Sequence, residues 1–280
     1  MILLLHIYFV VYNIMLGCCC FFSSFSESLE DALLLYKRVT EQYKNEDILT
    51  VVRSLIPHNV VLQTKKDGNI ISLLKWFKND FMKWTQKAPV CEKCVNVISS
   101  YNSSSYSNRS VPPPPPMQAQ VIIGDSWKMR KVEVFKCNNC NYEYTFPRYG
   151  EILKIAEAKT GRCSEWSILF GAILSSIDIE ARIVHDFLDH CWNEAKLILD
   201  GKWIHVDSTL TYPTSLNHPY YYEENGGKKY DYVLAFSADK VEDVTKRYTQ
   251  RWETIEQRRH ENNSNNSVKP TDNKPMQALT

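Results

Sequence analysis

The amino-acid sequence predicts an α+β protein in which a helix carrying a nucleophile at its N-terminus packs on an antiparallel sheet, with a zinc-binding subdomain beside it. Three observations predict this fold class. Apolar residues recur at helical spacing before the first cysteine pair, two Cys-x-x-Cys pairs flank a polar insertion, and four strand-like segments follow one apolar helix. The 280 residues, 44% of them hydrophobic, suffice for one large domain or two small ones.

The charge balance gives no indication of a polyanionic partner. The chain has 33 Lys and Arg residues against 32 Asp and Glu residues, which leaves a formal net charge of +1 at pH 7. Such a chain has no net field that would attract nucleic acid or acidic lipid. We therefore expect no nucleic-acid partner.

Residues 1–25 form an apolar segment that has two alternative interpretations. No Asp, Glu, Lys or Arg precedes Glu27, and the segment is long enough for a signal sequence or a marginal membrane span. It lacks the basic region of a signal peptide, however, and His6 and Asn13 interrupt the apolar run. It is either a targeting or anchoring segment or a non-native start, and we expect membrane contact only in the first case.

We predict a helical region over residues 26–90. It is clearest in ISLLKWFKNDFMKW, where large apolar residues recur at three- and four-residue spacing. These residues are Leu73, Leu74, Phe77, Phe81 and Trp84. One face of this helix is therefore expected to lie in the core.

Residues 91–148 are predicted to form a metal-binding subdomain. A two-residue spacer lets both sulfurs of a Cys-x-x-Cys pair bind one tetrahedral zinc ion, and four protein ligands leave no open position, so we expect one structural zinc ion. Disulfides and redox cysteines are the alternatives. Paired cysteines of this kind favour a reducing compartment, so we expect a cytoplasmic location. The four ligands are Cys91, Cys94, Cys137 and Cys140.

A polar insertion over residues 99–118 separates the two cysteine pairs. It is rich in Ser, Asn and Tyr and ends near the five prolines Pro112–Pro116, which is typical of an extended spacer or of a ligand for a proline-binding domain. The segments KVEVFKC and NNCNYEYTF follow it and predict a β-hairpin whose turn carries the second pair.

Residues 149–260 are predicted to form the catalytic core. A short amphipathic helix, EILKIAEA, precedes a turn at Thr160 and Gly161, and an apolar helix begins close to Cys163. Strands are predicted in EARIVHDF, DHCWNEAKLIL, KWIHVDST and YDYVLAFS. Residues 261–280 are polar, and we expect them to be disordered.

Cys163 is the candidate nucleophile, because the N-terminus of a helix favours a thiolate over a thiol. A thiolate that attacks an amide needs a base and a carboxylate that orients the base. His190 and Asp207 follow on neighbouring predicted strands in the order that these roles require. Order alone is weak evidence, because each residue type is more often structural. Cys191, beside His190, is expected to face the core.

The strand register gives a geometric prediction for His190 and Asp207. A two-residue turn at Asp200-Gly201 would place Asp207 opposite Glu194, which is on the correct face of the sheet. Glu194 is four residues from His190, however, and that is about 13 Å along a strand. The triad therefore requires a wider loop, over about Lys196 to Gly201, or a β-bulge.

Six segments, in this order, resemble the cytoplasmic peptide:N-glycanase family: LLKWFKNDFMKW, FPRYG, TGRCSEW, DHCWNE, WIHVDS and GKKYDYVLAFSADKVEDVTKRY. The resemblance extends from about Leu73 to Arg251 and includes both cysteine pairs. It implies a transglutaminase-like fold of the papain-like cysteine protease type. It also implies hydrolysis of the amide bond between an N-glycan and asparagine, in the degradation of misfolded glycoproteins from the endoplasmic reticulum. The partners that it implies are unfolded N-glycosylated proteins and ubiquitin-receptor shuttle proteins of the proteasome pathway.

The resemblance implies a role for each site residue. Cys163 attacks the asparagine side-chain carbonyl, His190 protonates the departing glycosylamine, and Asp207 orients His190. Trp84 matches a tryptophan that the family places near the nucleophile, so its indole N–H is a candidate donor to the oxyanion. The alternative for Trp84 is core packing.

Two other functions remain open at the level of the sequence. A transglutaminase or another thiol amidase would use the same triad, and the four-cysteine site argues against it. A non-catalytic module that binds glycoproteins would not need the complete triad. Leu210 and Gly226 stand where the family commonly has an acidic residue and a tryptophan, and these positions bear on glycan recognition.

Overall fold

The structure is a computed structural model that describes residues 21–86, 89–95, 117–197 and 201–266. The predictions for most of the apolar start, most of the polar insertion and residues 267–280 therefore lie outside the described residues.

The N-terminal part of the chain is helical, as the apolar spacing predicts. Its elements are α1 (Phe21–Gln42), α2 (Glu46–Ser54), α3 (His58–Asp67), α4 (Ile71–Trp76) and a π-helical turn (Phe77–Phe81). The side chain of Asn45 caps α2 by accepting the N–H of Ile48, and α3 ends at Gly68, whose φ of 62° is the left-handed conformation that suits glycine.

The predicted helix through Trp84 ends earlier than expected. Helical structure stops at Phe81, and Met82 is extended. The next two residues form strand β1 (Lys83–Trp84), which pairs in parallel with β5 (Thr160–Gly161). The backbone N–H of Lys83 donates to Lys159 O at 2.9 Å, so a distant segment replaces the helical hydrogen bonds.

A three-stranded antiparallel sheet follows in the chain. Its strands are β2 (Gln118–Ser126), β3 (Met129–Lys136) and β4 (Glu143–Tyr149), in the order β2-β3-β4. The connection between β3 and β4 contains Cys137 and Cys140. The predicted hairpin with the second cysteine pair in its turn is thereby confirmed.

The second sheet has five strands, all paired antiparallel, in the order β10-β9-β6-β7-β8. The helices that precede it are α5 (Ile152–Ala158) and α6 (Cys163–Ser176). The strands are β6 (Glu180–His185), β7 (Cys191–Lys196), β8 (Trp203–Val206), β9 (Leu234–Phe236) and β10 (Val241–Asp243). The predicted helix at Cys163 and the four predicted strands are confirmed.

Helix α6 is the centre of the main core. Its residues Ile168, Leu169 and Phe170 are fully buried between the sheet and the N-terminal helices. Tyr43 donates its hydroxyl to Ile168 O at 2.9 Å, and a Cβ on Gly171 would lie 2.3 Å from that hydroxyl. Glycine at this position is what allows the N-terminal helices to approach the helix that carries Cys163.

The chain continues through α7 (Tyr221–Gly226), α8 (Thr245–Tyr248) and α9 (Trp252–Asn266). Helix α9 extends into the segment from residue 261 that was expected to be disordered, up to Asn266. Among the described residues, no helix combines the length and the apolar composition that crossing a membrane requires.

Candidate active site

Cys163 is the first residue of α6, as the sequence predicts. The preceding residue, Arg162, is extended, and its backbone N–H donates to Glu165 Oε2 at 3.0 Å, which fixes the start of the helix. A Cβ on Gly161 would lie 2.3 Å from the Cβ of Glu165. Glycine is therefore needed where the turn before Cys163 packs against the first turn of the helix.

The loop between β6 and β7 delivers His190 to the start of β7. The buried carboxylate of Asp186 organises this loop, because its Oδ1 accepts the backbone N–H groups of Leu188, Asp189 and His190 at 3.0, 3.2 and 2.9 Å. The ammonium of Lys228 donates to Asp186 Oδ2. His190 is therefore held by its backbone as well as by its side chain.

The register of β7 and β8 brings Asp207 to His190. Lys196 pairs with Trp203, so the connection runs over residues 197–202 and is wider than a two-residue turn. The prediction of a wider loop is confirmed. His190 Nε2 lies 2.7 Å from Asp207 Oδ2. The carboxylate is fully buried, and the backbone N–H and the hydroxyl of Thr209 donate to its Oδ1 at 2.9 and 2.6 Å.

Tyr222 is a member of this cluster that the sequence did not reveal. Its hydroxyl lies 2.6 Å from Asp207 Oδ2 and 2.7 Å from His190 Nε2. It comes from α7, within the run PYYYEEN, where no spacing distinguishes one tyrosine from the next. Burial and the neighbouring Asp207 raise the pKa of Tyr222, so the phenol remains a donor.

The electrostatics of the cluster favour a thiolate–imidazolium pair. A hydrogen bond with the Cys191 thiol lowers the pKa of Cys163, whereas burial raises it. A hydrogen bond with His190 and the charge of His190 lower it further, so the pKa of Cys163 is about 4. Burial acts to lower the pKa of His190, but the charge and hydrogen bond of Asp207, and then Cys163, raise it to about 10. Burial raises the pKa of Asp207, and His190 outweighs that and holds it well below its usual range. At neutral pH the thiolate is therefore poised for attack.

Cys191 is buried, with 2% of its surface exposed, which confirms that it faces the core. It lies on the side of β7 that packs against α6, where Ser167 Oγ is 3.3 Å from its sulfur. His190 instead stacks on Trp192, with ring centroids 5.8 Å apart.

Trp84 lies beside the nucleophile rather than in the core. Strand β1 places it opposite Gly161, two positions before Cys163. Its side chain is 43% exposed and meets the ring of Trp166 edge-on at 6.2 Å. Core packing is therefore wrong for Trp84, and its role as an oxyanion donor stays a prediction.

A buried charge cluster joins the three-stranded sheet to the start of α6. Arg148 on β4 donates to Glu165 Oε1 at 2.8 Å, to Glu133 Oε1 at 3.2 Å and to Ser164 Oγ at 2.8 Å. Arg162 also donates to both oxygens of Glu133, at 2.9 and 2.7 Å. The two residues that flank Cys163 are thereby held by partners on β3 and β4. The sequence offers one sign of this cluster, a glutamate three residues after Arg162 at a predicted helix start.

We expect the substitution Arg148→Met to destabilise the fold by about 3–5 kcal/mol, because it removes a buried cation that two carboxylates share and takes from the buried Glu165 its nearest cationic partner. The side chains of Arg148, Glu165 and Glu133 are only 9%, 1% and 7% exposed. Chemical denaturation with a linear extrapolation measures the loss. The control is Lys154→Met, whose exposed partner Glu157 is 2.9 Å away and for which a much smaller loss is expected, because water screens an exposed ion pair. Equal effects of the two substitutions would contradict the interpretation.

The four predicted metal ligands converge at the edge of the three-stranded sheet. The sulfurs of Cys91 and Cys140 are 3.5 Å apart, those of Cys94 and Cys137 are 3.7 Å apart, and all four lie within 4.8 Å of one another. Sulfurs that bind one tetrahedral zinc ion at about 2.3 Å are about 3.8 Å apart, so the cluster fits such an ion. The prediction of a four-cysteine cluster that could hold a metal is confirmed.

Comparisons with known proteins place the chain among transglutaminase-like domains. A profile of the Transglutaminase-like superfamily matches residues 124–208, and a profile of the Rad4 transglutaminase-like domain matches residues 188–275. Solved structures of Rad4 with Rad23 are also similar, for example one that covers 86% of this chain and 53% of that chain at 12% identity, with a TM-score of 0.43.

Curated relatives in several eukaryotes are named peptide-N(4)-(N-acetyl-beta-glucosaminyl)asparagine amidase. The Caenorhabditis elegans protein is 32% identical over 216 residues, which cover 75% of this chain and 33% of the relative. The Saccharomyces cerevisiae protein is 36% identical over 212 residues, covering 71% and 54%, and the Macaca fascicularis protein is 32% identical over 216 residues, covering 77% and 30%. The chain thus spans about a third to a half of the length of these relatives.

Proposed function

Because this chain belongs to the transglutaminase-like superfamily and is similar over most of its length to peptide:N-glycanases, we propose that it hydrolyses the amide bond between N-glycans and asparagine. The observation that carries the proposal is the contact between His190 and Asp207 at 2.7 Å, next to a Cys163 whose pKa is lowered to about 4. This constellation can form and hydrolyse a thioester.

The proposed reaction has two stages. Cys163 Sγ attacks the asparagine side-chain carbonyl carbon, and the bond to nitrogen breaks as His190 gives its proton to the departing glycosylamine. His190 then takes a proton from water, whose oxygen attacks the thioester, so that Cys163 is released and aspartate remains in the peptide. Asp207 keeps the imidazole oriented and supports its positive form throughout.

The oxyanion of each stage needs hydrogen-bond donors near Cys163. The backbone N–H of Cys163 lies in the first turn of α6 and has no partner within the helix. Trp84 lies beside the same turn, across the pairing of β1 with β5. We assign the Trp84 indole as a second donor, and one such donor is worth about 3 kcal/mol in catalysis.

The four-cysteine cluster is proposed to hold one structural zinc ion. Cys91, Cys94, Cys137 and Cys140 would be its ligands, and the ion would join the hairpin turn between β3 and β4 to the segment that follows Trp84. Cys91 and Cys137 are already part of a small apolar cluster with Phe135 and Phe146. The ion would supply stability rather than chemistry, because all four coordination positions are filled by protein.

Removal of the metal is expected to loosen the three-stranded sheet. A chelator should lower the thermal unfolding midpoint and make the four cluster thiols reactive towards an alkylating reagent, because binding free energy in such sites is folding free energy. Calorimetry, metal analysis and mass spectrometry of the alkylated peptides measure these effects. Cys191, which is buried elsewhere, is the internal control and should stay protected. The assignment would be contradicted if the purified protein contained no metal and the chelator left its thermal unfolding midpoint unchanged.

The substrates are proposed to be unfolded N-glycosylated proteins, met in the cytoplasm during degradation of misfolded glycoproteins. Ubiquitin-receptor shuttle proteins of the proteasome pathway are proposed as partners. The similarity to curated peptide-N(4)-(N-acetyl-beta-glucosaminyl)asparagine amidases supports the glycosylated substrate.

The decisive assay uses a denatured high-mannose glycoprotein incubated with the zinc-loaded protein in water labelled with oxygen-18. We expect loss of the glycan and conversion of each released asparagine to aspartate that carries the label, read by mass spectrometry. Incorporation of an amine into a glutamine peptide, without glycan release, would instead assign a transglutaminase. Binding of the glycoprotein without turnover by the folded protein would assign a non-catalytic module.

A further inference from the structure

Cys191 is a buried thiol next to the nucleophile, and the proposed reaction makes no use of it. Only 2% of its surface is exposed, whereas Cys163 is partly exposed. The remaining cysteines that the structure describes form the four-sulfur cluster. Cys163 and Cys191 therefore form a separate pair of free thiols, one reachable from solvent and one not.

Contacts of the surrounding residues show that Cys163 and Cys191 are neighbours. Ser167, one helical turn after Cys163, donates its hydroxyl to Cys163 O at 2.8 Å. The hydroxyl oxygen of Ser167 also lies 3.3 Å from Cys191 Sγ. On the other side, Cys163 Sγ lies 3.9 Å from Asp189 O, two residues before Cys191. The Cys191 thiol is also the group that contributes most to lowering the pKa of Cys163, which is consistent with this proximity.

The two thiols differ in protonation in a way that suits sequential oxidation. The pKa of Cys163 is lowered to about 4, so it is a thiolate at neutral pH and is the sulfur that reacts first with a peroxide, as the nucleophile. The hydrogen bond to Cys163, burial and the charge of Cys163 raise the pKa of Cys191. Oxidation of Cys163 removes that charge, so Cys191 then loses its proton more easily.

We propose that Cys163 and Cys191 form a reversible intramolecular disulfide when a peroxide oxidises the protein, with Cys191 as the resolving cysteine. In the first step the Cys163 thiolate attacks one peroxide oxygen, the O–O bond breaks, and a sulfenic acid and hydroxide (or an alkoxide) form. In the second step the Cys191 sulfur attacks the Cys163 sulfur, the S–OH bond breaks, and the thiol proton leaves with the hydroxyl group as water. Two thiols are thereby oxidised and one peroxide is reduced.

The disulfide would occupy the sulfur that the proposed reaction needs, so the oxidised protein is inactive. It would also protect Cys163, because a sulfenic acid without a nearby thiol proceeds to the irreversible sulfinic acid. A reductant of the thiol class reverses the disulfide and restores the free nucleophile.

Peptide mapping tests the proposal without any glycan assay. Trypsin cuts after Arg162, Arg182 and Lys196, which puts the two cysteines on adjacent but separate peptides, 163–182 and 183–196. After treatment of the metal-loaded protein with hydrogen peroxide and blocking of free thiols, we expect these two peptides to appear linked, and dithiothreitol to release them with both thiols alkylatable. Oxidation of Cys163 straight to sulfinic acid, or its linkage to any other cysteine, would overturn the proposal.

Cys191→Ser is the matched variant, because serine retains the size and a hydrogen-bonding group. In this variant we expect irreversible loss of the Cys163 thiol, seen as sulfinic and sulfonic acid on peptide 163–182, under conditions where the natural chain is fully recovered by reductant. Equal recovery in both proteins would overturn the role of Cys191. Because the readout is the thiol itself, a failure here is distinct from a failure of the proposed glycan release.

Discussion

The Cys163→Ala substitution is expected to lower the rate of glycan release by about 10⁶-fold, which is the loss seen when the nucleophile of a catalytic triad is removed. Without the sulfur no thioester forms, and His190 and Asp207 have nothing to activate. Release of glycan from a denatured high-mannose glycoprotein measures the effect, with the metal content and the thermal midpoint of the variant recorded beside it.

Ser175→Ala is the matched control for this substitution. Ser175 lies near the other end of α6 and only donates its hydroxyl to Gly171 O at 2.9 Å, so its activity should equal that of the natural chain. A Cys163→Ala protein that is folded and still releases glycan would refute the assignment of the nucleophile.

The Asp207→Asn substitution is expected to lower glycan release by about 10⁴-fold, as loss of the orienting carboxylate does in triads. Burial acts to lower the pKa of His190, and the charge of Asp207 is the largest of the contributions that raise it to about 10, so removal of that charge lowers this pKa. With less positive charge beside it, Cys163 becomes harder to deprotonate, and its pKa rises from about 4.

The pH dependence of Cys163 alkylation by iodoacetamide separates this effect from simple damage to the fold. In the natural chain the rate should stay high down to about pH 4, whereas in the Asp207→Asn variant it should fall at a distinctly higher pH. Asp239→Asn is the control, because Asp239 is exposed and pairs with the exposed Lys44, away from the triad. An unchanged alkylation profile in the Asp207→Asn variant would show that the carboxylate does not act through His190.

The features that the sequence predicts well are those with local chemical signatures. The Cys-x-x-Cys spacing identifies the four-sulfur cluster, and the turn before Cys163 marks the start of α6. The sequence also predicts that the loop between β7 and β8 is wider than two residues, because a two-residue turn could not bring Asp207 to His190.

The features that the sequence misses depend on distant partners. The apolar spacing continues through Trp84, but the helix ends at Phe81 because Lys83 and Thr85 form backbone hydrogen bonds to the segment around Thr160. No local pattern encodes that parallel pairing. Tyr222 is likewise positioned only by the placement of α7 over the cluster.

The charge cluster around Arg148 also constrains how the chain can change during evolution. The three-stranded and five-stranded sheets share no strand, and buried charges on β3 and β4 reach across to Arg162 and Ser164, the residues on either side of Cys163. Exchange of one member removes a buried partner from the charges that remain, so single substitutions in the cluster are destabilising. The strands near the metal ligands and the turn before the nucleophile are therefore expected to be inherited as one unit, with compensating replacements on both sides whenever either diverges.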